Sequence, residues 1–217
     1  MSLAPYVPLI VHGVMVTIAA WLIAGFFSLL VGTILGVLIS RRLALRKLSI
    51  FIRIYVFIAK GIPAYVHILI AYFVIPALFG FKISGFVAAT GALAFCSSGY
   101  VAEIIRAGIN AIPRGQWDAC MVLGYPLYHA LRRVMLPQLF KAILPALFGE
   151  FEQLLKSTSL LATIGVTELT RTGMNIISRE LNPLPVYLMI ACIYLFFSAI
   201  LHVLLIYSER KTIHGNR

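Results

Sequence analysis

The sequence is short of charge, and above all of acid. Charged residues make up 12% of its 217 residues, and only 7 are Asp or Glu against 18 Lys or Arg. A soluble domain carries about 25% charged residues and about 45–50% apolar ones. Here apolar residues reach 61%, and mean hydropathy is +0.99. No fold of this length hides that much apolar surface from water, so lipid must be the solvent for much of it. Cysteine is scarce as well. Cys96, Cys120 and Cys192 are odd in number and lack metal-ligand spacing, which argues against a disulfide framework and a metal site. There is no G-x-x-x-x-G-K-[ST] phosphate loop, no His/Asp/Glu cluster, and no Ser–His or Cys–His set that would mark an enzyme. No basic segment or small-residue cleavage site accompanies the first hydrophobic stretch, so that stretch is expected to be retained as a span.

What remains is long apolar runs. At roughly 20 residues per crossing, the chain reads as all-α and polytopic, with about five transmembrane helices over residues 9–39, 62–79, 85–109, 142–166 and 185–207. The first is long enough to tilt, and its Gly32-x-x-x-Gly36 pair would let another helix approach closely. Arg53 and Lys60 are seven apart and share a helix face. Residues 49–59 therefore read as an amphipathic surface helix, broken from the next span at Gly61-Ile62-Pro63. Basic residues set the orientation. With the N-terminus outside and the C-terminus cytoplasmic, 14 Lys or Arg fall on the cytoplasmic side, 3 outside, and Lys156 within the fourth span. The charge of +11 is then mostly this bias, and no nucleic-acid partner is needed to explain it. There is no internal repeat. Five spans cannot divide into two equal inverted halves, which argues against a self-contained secondary transporter and for a protomer that pairs with a copy or homologue of itself.

The one long polar interruption is residues 110–141, expected to form a cytoplasmic loop. Two short helical patterns lie in it. The first, residues 116–123, ends at Gly124 as a C-cap. The second, residues 127–136, is stopped by Pro137. A helix–Gly–helix of this kind is either a rigid knob for a groove on another protein or a surface loop resting on headgroups.

The loop resembles the E-A-A loop of the membrane subunits of ATP-binding cassette importers: E-A-A, three residues, G, nine residues, then I-x-L-P. Here it reads Asp118-Ala119-Cys120, Gly124, then Val134-Met135-Leu136-Pro137, with both gaps matched. Asp for Glu, Cys for Ala and Val for Ile are the departures. Other words are similar to the polar amino-acid permease subfamily: Gly61-Ile62-Pro63, the stretch from Tyr100 through Glu103 and Arg106 to Ile109, and Glu150-Phe151 followed by Leu154-Leu155-Lys156-Ser157-Thr158-Ser159-Leu160. Ile164-Gly165-Val166-Thr167-Glu168-Leu169 is another.

The resemblance implies a type I importer fold in the bacterial inner (cytoplasmic) membrane. It implies a second permease subunit, two cytoplasmic ATP-binding subunits, an external solute-binding protein and a polar amino-acid substrate. No cofactor is implied on this chain; ATP and Mg belong to the partner ATPase. Gly115, Trp117, Asp118, Ala119, Cys120, Gly124, Pro126, Leu136 and Pro137 would couple to that ATPase, with Trp117 anchoring the first loop helix. An ATP-independent channel or secondary transporter is the alternative.

The polar residues within the spans are expensive and point to an interior or a cavity. Candidates for the pathway are Gly61, Pro63, His67, Tyr100, Glu103, Glu150, Glu152, Lys156, Ser157, Thr158 and Ser159. Glu103 and Arg106 are placed to pair, as are Glu152 and Lys156. Glu152 stands where the family usually has an apolar residue. An additional acid in a pathway would favour a basic amino acid, and pairing with Lys156 would cancel that field. Lys60 is expected to snorkel at the cytoplasmic interface.

Overall fold

In a computed structural model, residues 4–40 and 46–214 are described, and all their regular structure is helical. Arg41, Arg42 and Arg217, counted in the basic bias, lie outside the described residues. Four helical stretches are long and apolar enough to cross a membrane: Ala4–Ile39, Gly85–Ala111, Leu127–Ile164 and Pro183–Arg210. A bent pair, Leu48–Gly61 and Ala64–Phe79, meets at 102° and makes a fifth if it crosses as one.

Helix α1 (Val7–Ile39) buries a stripe of small residues, among them Gly13, Thr17, Ala20, Ala24, Ser28, Gly32 and Gly36. Its large apolar side chains, such as Met15, Leu22 and Phe26, face outward. Small residues inside and bulky ones outside is the pattern of a membrane helix that packs on its neighbours by backbone approach. The neighbour is α5 (Gly85–Ala111), itself lined with buried Ala, Ser and Gly. The Gly32–Gly36 pair sits at this contact. A Cβ on Gly36 would lie 2.6 Å from the Ala102 carbonyl oxygen and 2.7 Å from Ile105 Cβ. Gly36→Leu is therefore expected to force α1 and α5 apart at a cost of about 1–3 kcal/mol. At roughly 2–4 °C per kcal/mol for a chain of this size, the unfolding temperature in detergent should drop by about 2–12 °C. An unchanged melt would contradict the packing.

Between them, α2 (Arg46–Gly61) packs Ile52 and Val56 against Ile39 and Ala102. It is followed by α3 (Ala64–Leu69), a π-helical turn (Ile70–Val74) and α4 (Ile75–Phe79). Pro63 is the N-cap residue of α3, and the break falls at Gly61-Ile62-Pro63. The expected surface helix and span are thus two arms of one sharp bend.

The largest departure from expectation is beyond α6 (Arg114–Val122). Helix α7 (Leu127–Ala130) runs through a second π turn (Leu131–Met135) into α8 (Leu136–Ser157), without a stop. The second loop helix therefore runs on without a break into the helix of the fourth span, and Pro137 does not stop it. Pro137 falls in the first turn of α8, just past the π turn. The π turn before it takes up the missing N–H and the ring, and the helix continues past both Pro137 and the interior Pro145.

After a 3₁₀ segment (Thr158–Ile164), α9 (Leu169–Glu180) precedes α10 (Pro183–His214). Leu169, Thr172, Gly173 and Ile176 form its buried face. The Glu168 carboxylate caps it, accepting from the backbone N–H of Arg171 (2.7 Å) and Thr170 (2.8 Å). Burial pushes this carboxyl above its ordinary range, and the two N–H donors partly offset the shift. Leu169 donates its N–H to Thr17 Oγ1 at 3.1 Å, tying α9 to α1. Because α1 is 33 residues long, its ends are about 50 Å apart. α9 lies at its N-terminal end, and the α2 and α5 contacts with Ile39 lie at the other.

Candidate functional site

A cavity of about 470 Å³ opens where the broken helix meets α5 and α8. That is within the ~300–1,000 Å³ usual for small-molecule sites. The break supplies Lys60, Gly61, Ile62 and Pro63; α5 supplies Cys96, Ser97 and Tyr100; α8 supplies Glu150, Gln153 and Ser157. Glu150, Gln153 and Ser157 recur every three or four residues and so share one helix face. Ser97 donates its hydroxyl to Glu150 Oε1 at 2.6 Å. Lys60 Nζ stands 5.3 Å from the centroid of the Tyr100 ring, within reach of a cation–π contact. The wall therefore offers one carboxylate, one ammonium and several neutral hydrogen-bonding groups. Among the described residues, no group of three or more His, Cys, Asp or Glu could hold a metal ion.

Of the expected pathway residues, Gly61, Pro63, Tyr100, Glu150 and Ser157 line this cavity. The others are placed elsewhere. Glu103 lies in a neighbouring groove with Arg53 and Phe57 and is bridged by Arg106 at 2.6 Å. Glu152 and Lys156 pair at 2.7 Å away from the cavity wall. Glu152 thus contributes no free negative field, and the argument from it to a basic substrate falls. Thr158 is buried and donates to the Leu155 carbonyl, while Ser159 donates to that of Lys156. His67 is buried against Phe95, ring centroids 5.2 Å apart. Its ring nitrogens make no hydrogen bond of ordinary geometry, although the carbonyls of Pro63 and Ile62 lie near. Lys60 is exposed and stands over Tyr100 at the cavity wall. Ser97, the partner of Glu150, was not legible from sequence, because only the packing of α5 on α8 brings it there.

A second feature lies at the α6–α7 turn. Gly124 has φ +69°. The Tyr125 N–H donates to the Cys120 carbonyl at 2.9 Å, and the Gly124 N–H to that of Met121 at 3.0 Å. This double closure is a Schellman motif, which requires a left-handed residue at that point. Beneath it Cys120, Ile112, Ala130 and Met135 form a small core, packed by Trp117 and Leu131. Cys120 and Trp117 thus stabilise the knob from inside. Asp118, Ala119, Gly115 and Pro126 are exposed, as are Leu136 and Pro137 at the base. The tip is apolar: Met121 is 71% exposed, Val122 86% and Leu123 73%. Contiguous exposed apolar side chains on a hydrogen-bonded turn suit either a groove on another protein or lipid headgroups.

Comparison with known proteins fits this geometry. Residues 28–214 match the family described as "Binding-protein-dependent transport system inner membrane component". The arginine transport system permease protein ArtQ of Bacillus subtilis (strain 168) is 35% identical, covering 95% of this chain and 94% of that one. A putative glutamine transport system permease protein GlnP of Rickettsia felis is 30% identical, covering 97% and 96%. A crystal structure of an amino acid ABC transporter with histidines superposes with a TM-score of 0.87 at 34% identity, covering 96% of both chains. The inward-facing methionine transporter MetNI, at 20% identity and a TM-score of 0.81, shares the fold.

Proposed function

The chain belongs to the family of binding-protein-dependent transport system inner membrane components, and from that membership we propose that it imports polar amino acids as one half of a permease pair. It is a multi-pass subunit of a bacterial cytoplasmic membrane with its N-terminus outside. Two cytoplasmic ATP-hydrolysing subunits, holding ATP and Mg, dock on the α6–α7 tip. An external binding protein delivers the ligand. The cavity bounded by the broken helix, α5 and α8 is a segment of the pathway.

The observation that carries the substrate class is the pairing of opposite charges in one small cavity. A zwitterionic amino acid presents a carboxylate and an ammonium a few ångströms apart. Lys60 faces the first and Glu150 the second, with Ser97, Gln153 and Ser157 to meet a polar side chain. Such contacts can hold a ligand, and the opposite charges of Lys60 and Glu150 leave little net field. The class is therefore polar amino acids as a whole. A basic member is favoured only to the extent that Glu150 outweighs Lys60.

The test is uptake by the complete complex in proteoliposomes, supplied with its binding protein and a labelled polar amino acid. Uptake competed by polar amino acids, and left alone by sugars, is the expected result. Uptake of sugars in preference would overturn the substrate class. Competition by neutral polar amino acids stronger than by arginine and lysine would remove the basic preference.

A further inference from the structure

At one end of the bundle α9 fills the gap between α1 and α10, with Leu169 and Ile176 clustered with Ile10 and Val186. Further along the same two helices lies a cleft of about 360 Å³, and α8, which packs on both, forms its floor. α1 supplies Trp21, Gly25 and Leu29, α8 supplies Phe148 and Phe151, and α10 supplies Leu201. Leu22 and Phe26, 56% and 63% exposed, stand at the lip. Every lining residue is apolar. The one polar side-chain group among them, the Trp21 indole N–H, donates to the Phe151 carbonyl at 2.8 Å. α8 thus separates two different spaces: Glu150, Gln153 and Ser157 face the pathway cavity, and Phe148 and Phe151 face this cleft.

Depth, shape and size decide what fits. Trp21 to Leu29 is the middle of α1, which is about 50 Å long, so the cleft lies within the ~30 Å hydrocarbon layer. Water does not fill an apolar cavity of this kind. Trp21, Gly25 and Leu29 recur every four residues, so the wall runs about 12 Å along the helix axis. A helix of that length with its side chains takes roughly 1,000 Å³, far more than the cleft offers. A lipid acyl chain is apolar, thin and flexible, and it lies along the same direction as the spans. Within lipid there is no hydrophobic drive, and packing contacts decide. A chain seated between α1, α8 and α10 meets protein on three sides, where one on the outer surface meets it on one, and such contacts add up.

We propose that this cleft is a resident site for one acyl chain of a phospholipid, held by shape and not by headgroup charge. Lipid then backs the helix whose opposite face carries Glu150. The proposal needs only that the chain spans a membrane, and is independent of which substrate it moves.

The sequence has two tryptophans, Trp21 and Trp117, so Trp117→Phe leaves Trp21 as a reporter inside the cleft. The full-length chain is stripped of lipid in detergent and titrated with a phosphatidylcholine brominated at mid-chain, whose bromines quench nearby indole fluorescence. The reference reporter is Leu195→Trp with both native tryptophans changed to Phe, since Leu195 is 70% exposed on α10 and lies outside the cleft. Trp21 should reach half-quenching at a lipid-to-detergent ratio at least about 5-fold below that of the Leu195→Trp reporter, a preference of about 1 kcal/mol. Narrowing the cleft with Leu22→Phe and Leu29→Phe should bring the two ratios together. Equal ratios with the cleft intact would show that Trp21 meets only bulk lipid, and would overturn the proposal. So would the absence of Trp21 quenching at any ratio, which would mean that protein covers the cleft. A preference that survived the narrowing in a folded chain would place the lipid elsewhere and overturn it too. The first two outcomes are read with the cleft intact, so they decide the matter even if the narrowed variant fails to fold.

Discussion

Replacing Gly124 by Asp is expected to lower ATP-driven uptake by about 100-fold while leaving the chain inserted and folded. Two costs combine. Gly124 sits at φ +69°, where an Asp is tolerated better than most residues yet still strained. That cost is small, and no atom within 4 Å would clash with the new Cβ. The large term is the carboxylate, set among Met121, Val122 and Leu123 on an apolar tip. If a partner covers that tip, the charge is buried without a counter-ion, at a cost of about 2–5 kcal/mol. A 100-fold loss corresponds to about 2.7 kcal/mol. Gly124→Asn accepts the same backbone without the charge, and should retain most of the activity. The pair of variants separates backbone strain from interface burial. Co-purification of the ATPase subunit reads the effect directly: Asp should release it, and Asn should not.

The second large effect is expected at Glu150. Glu150→Gln keeps a side chain of the same shape that can still bond Ser97, and removes the charge. Hydrogen bonds to a charged group contribute about 1.5–3 kcal/mol, so the apparent affinity for the amino acid should fall about 10–100-fold. Assembly with the ATPase and basal ATP hydrolysis should be retained, since Glu150 is remote from the α6–α7 tip. Glu152→Gln is the matched control. Glu152 lies two residues away but is paired to Lys156 off the cavity wall, so uptake should change less than about twofold. Equal effects at Glu150 and Glu152 would contradict the assignment of the cavity.

The sequence and the structure agree where local physics decides. The Gly32–Gly36 spacing pointed to a close helix contact, because small residues at that spacing let backbones approach. Gly124 was legible because a left-handed C-cap favours glycine. The break at Pro63 was legible for the matching reason. What escaped the sequence depends on neighbours far along the chain. Pro137 reads as a stop until the π turn before it shows how the helix continues through it. Glu152 reads as a pathway acid until α8 is rotated against α5, which turns Glu150 inward to Ser97 and leaves Glu152 to Lys156. Residues 169–180 fall between the fourth and fifth spans, where the sequence analysis assigns no helix. The apolar face of α9 becomes meaningful only against α1 and α10. Lys60 shows the same limit, since its place over Tyr100 follows from the 102° bend and not from its own surroundings in sequence.

The central claim is that this chain moves its substrate only when driven through the α6–α7 tip by an ATPase. The most direct measurement compares uptake by proteoliposomes holding the permease alone with uptake after the ATPase subunits, ATP and the external binding protein are added. The account predicts no uptake above the lipid background for the permease alone, and uptake with the complete set that stops when ATP is withheld. Substrate accumulation by the permease alone, unaffected by ATP, would contradict it and establish an ATP-independent channel or secondary transporter.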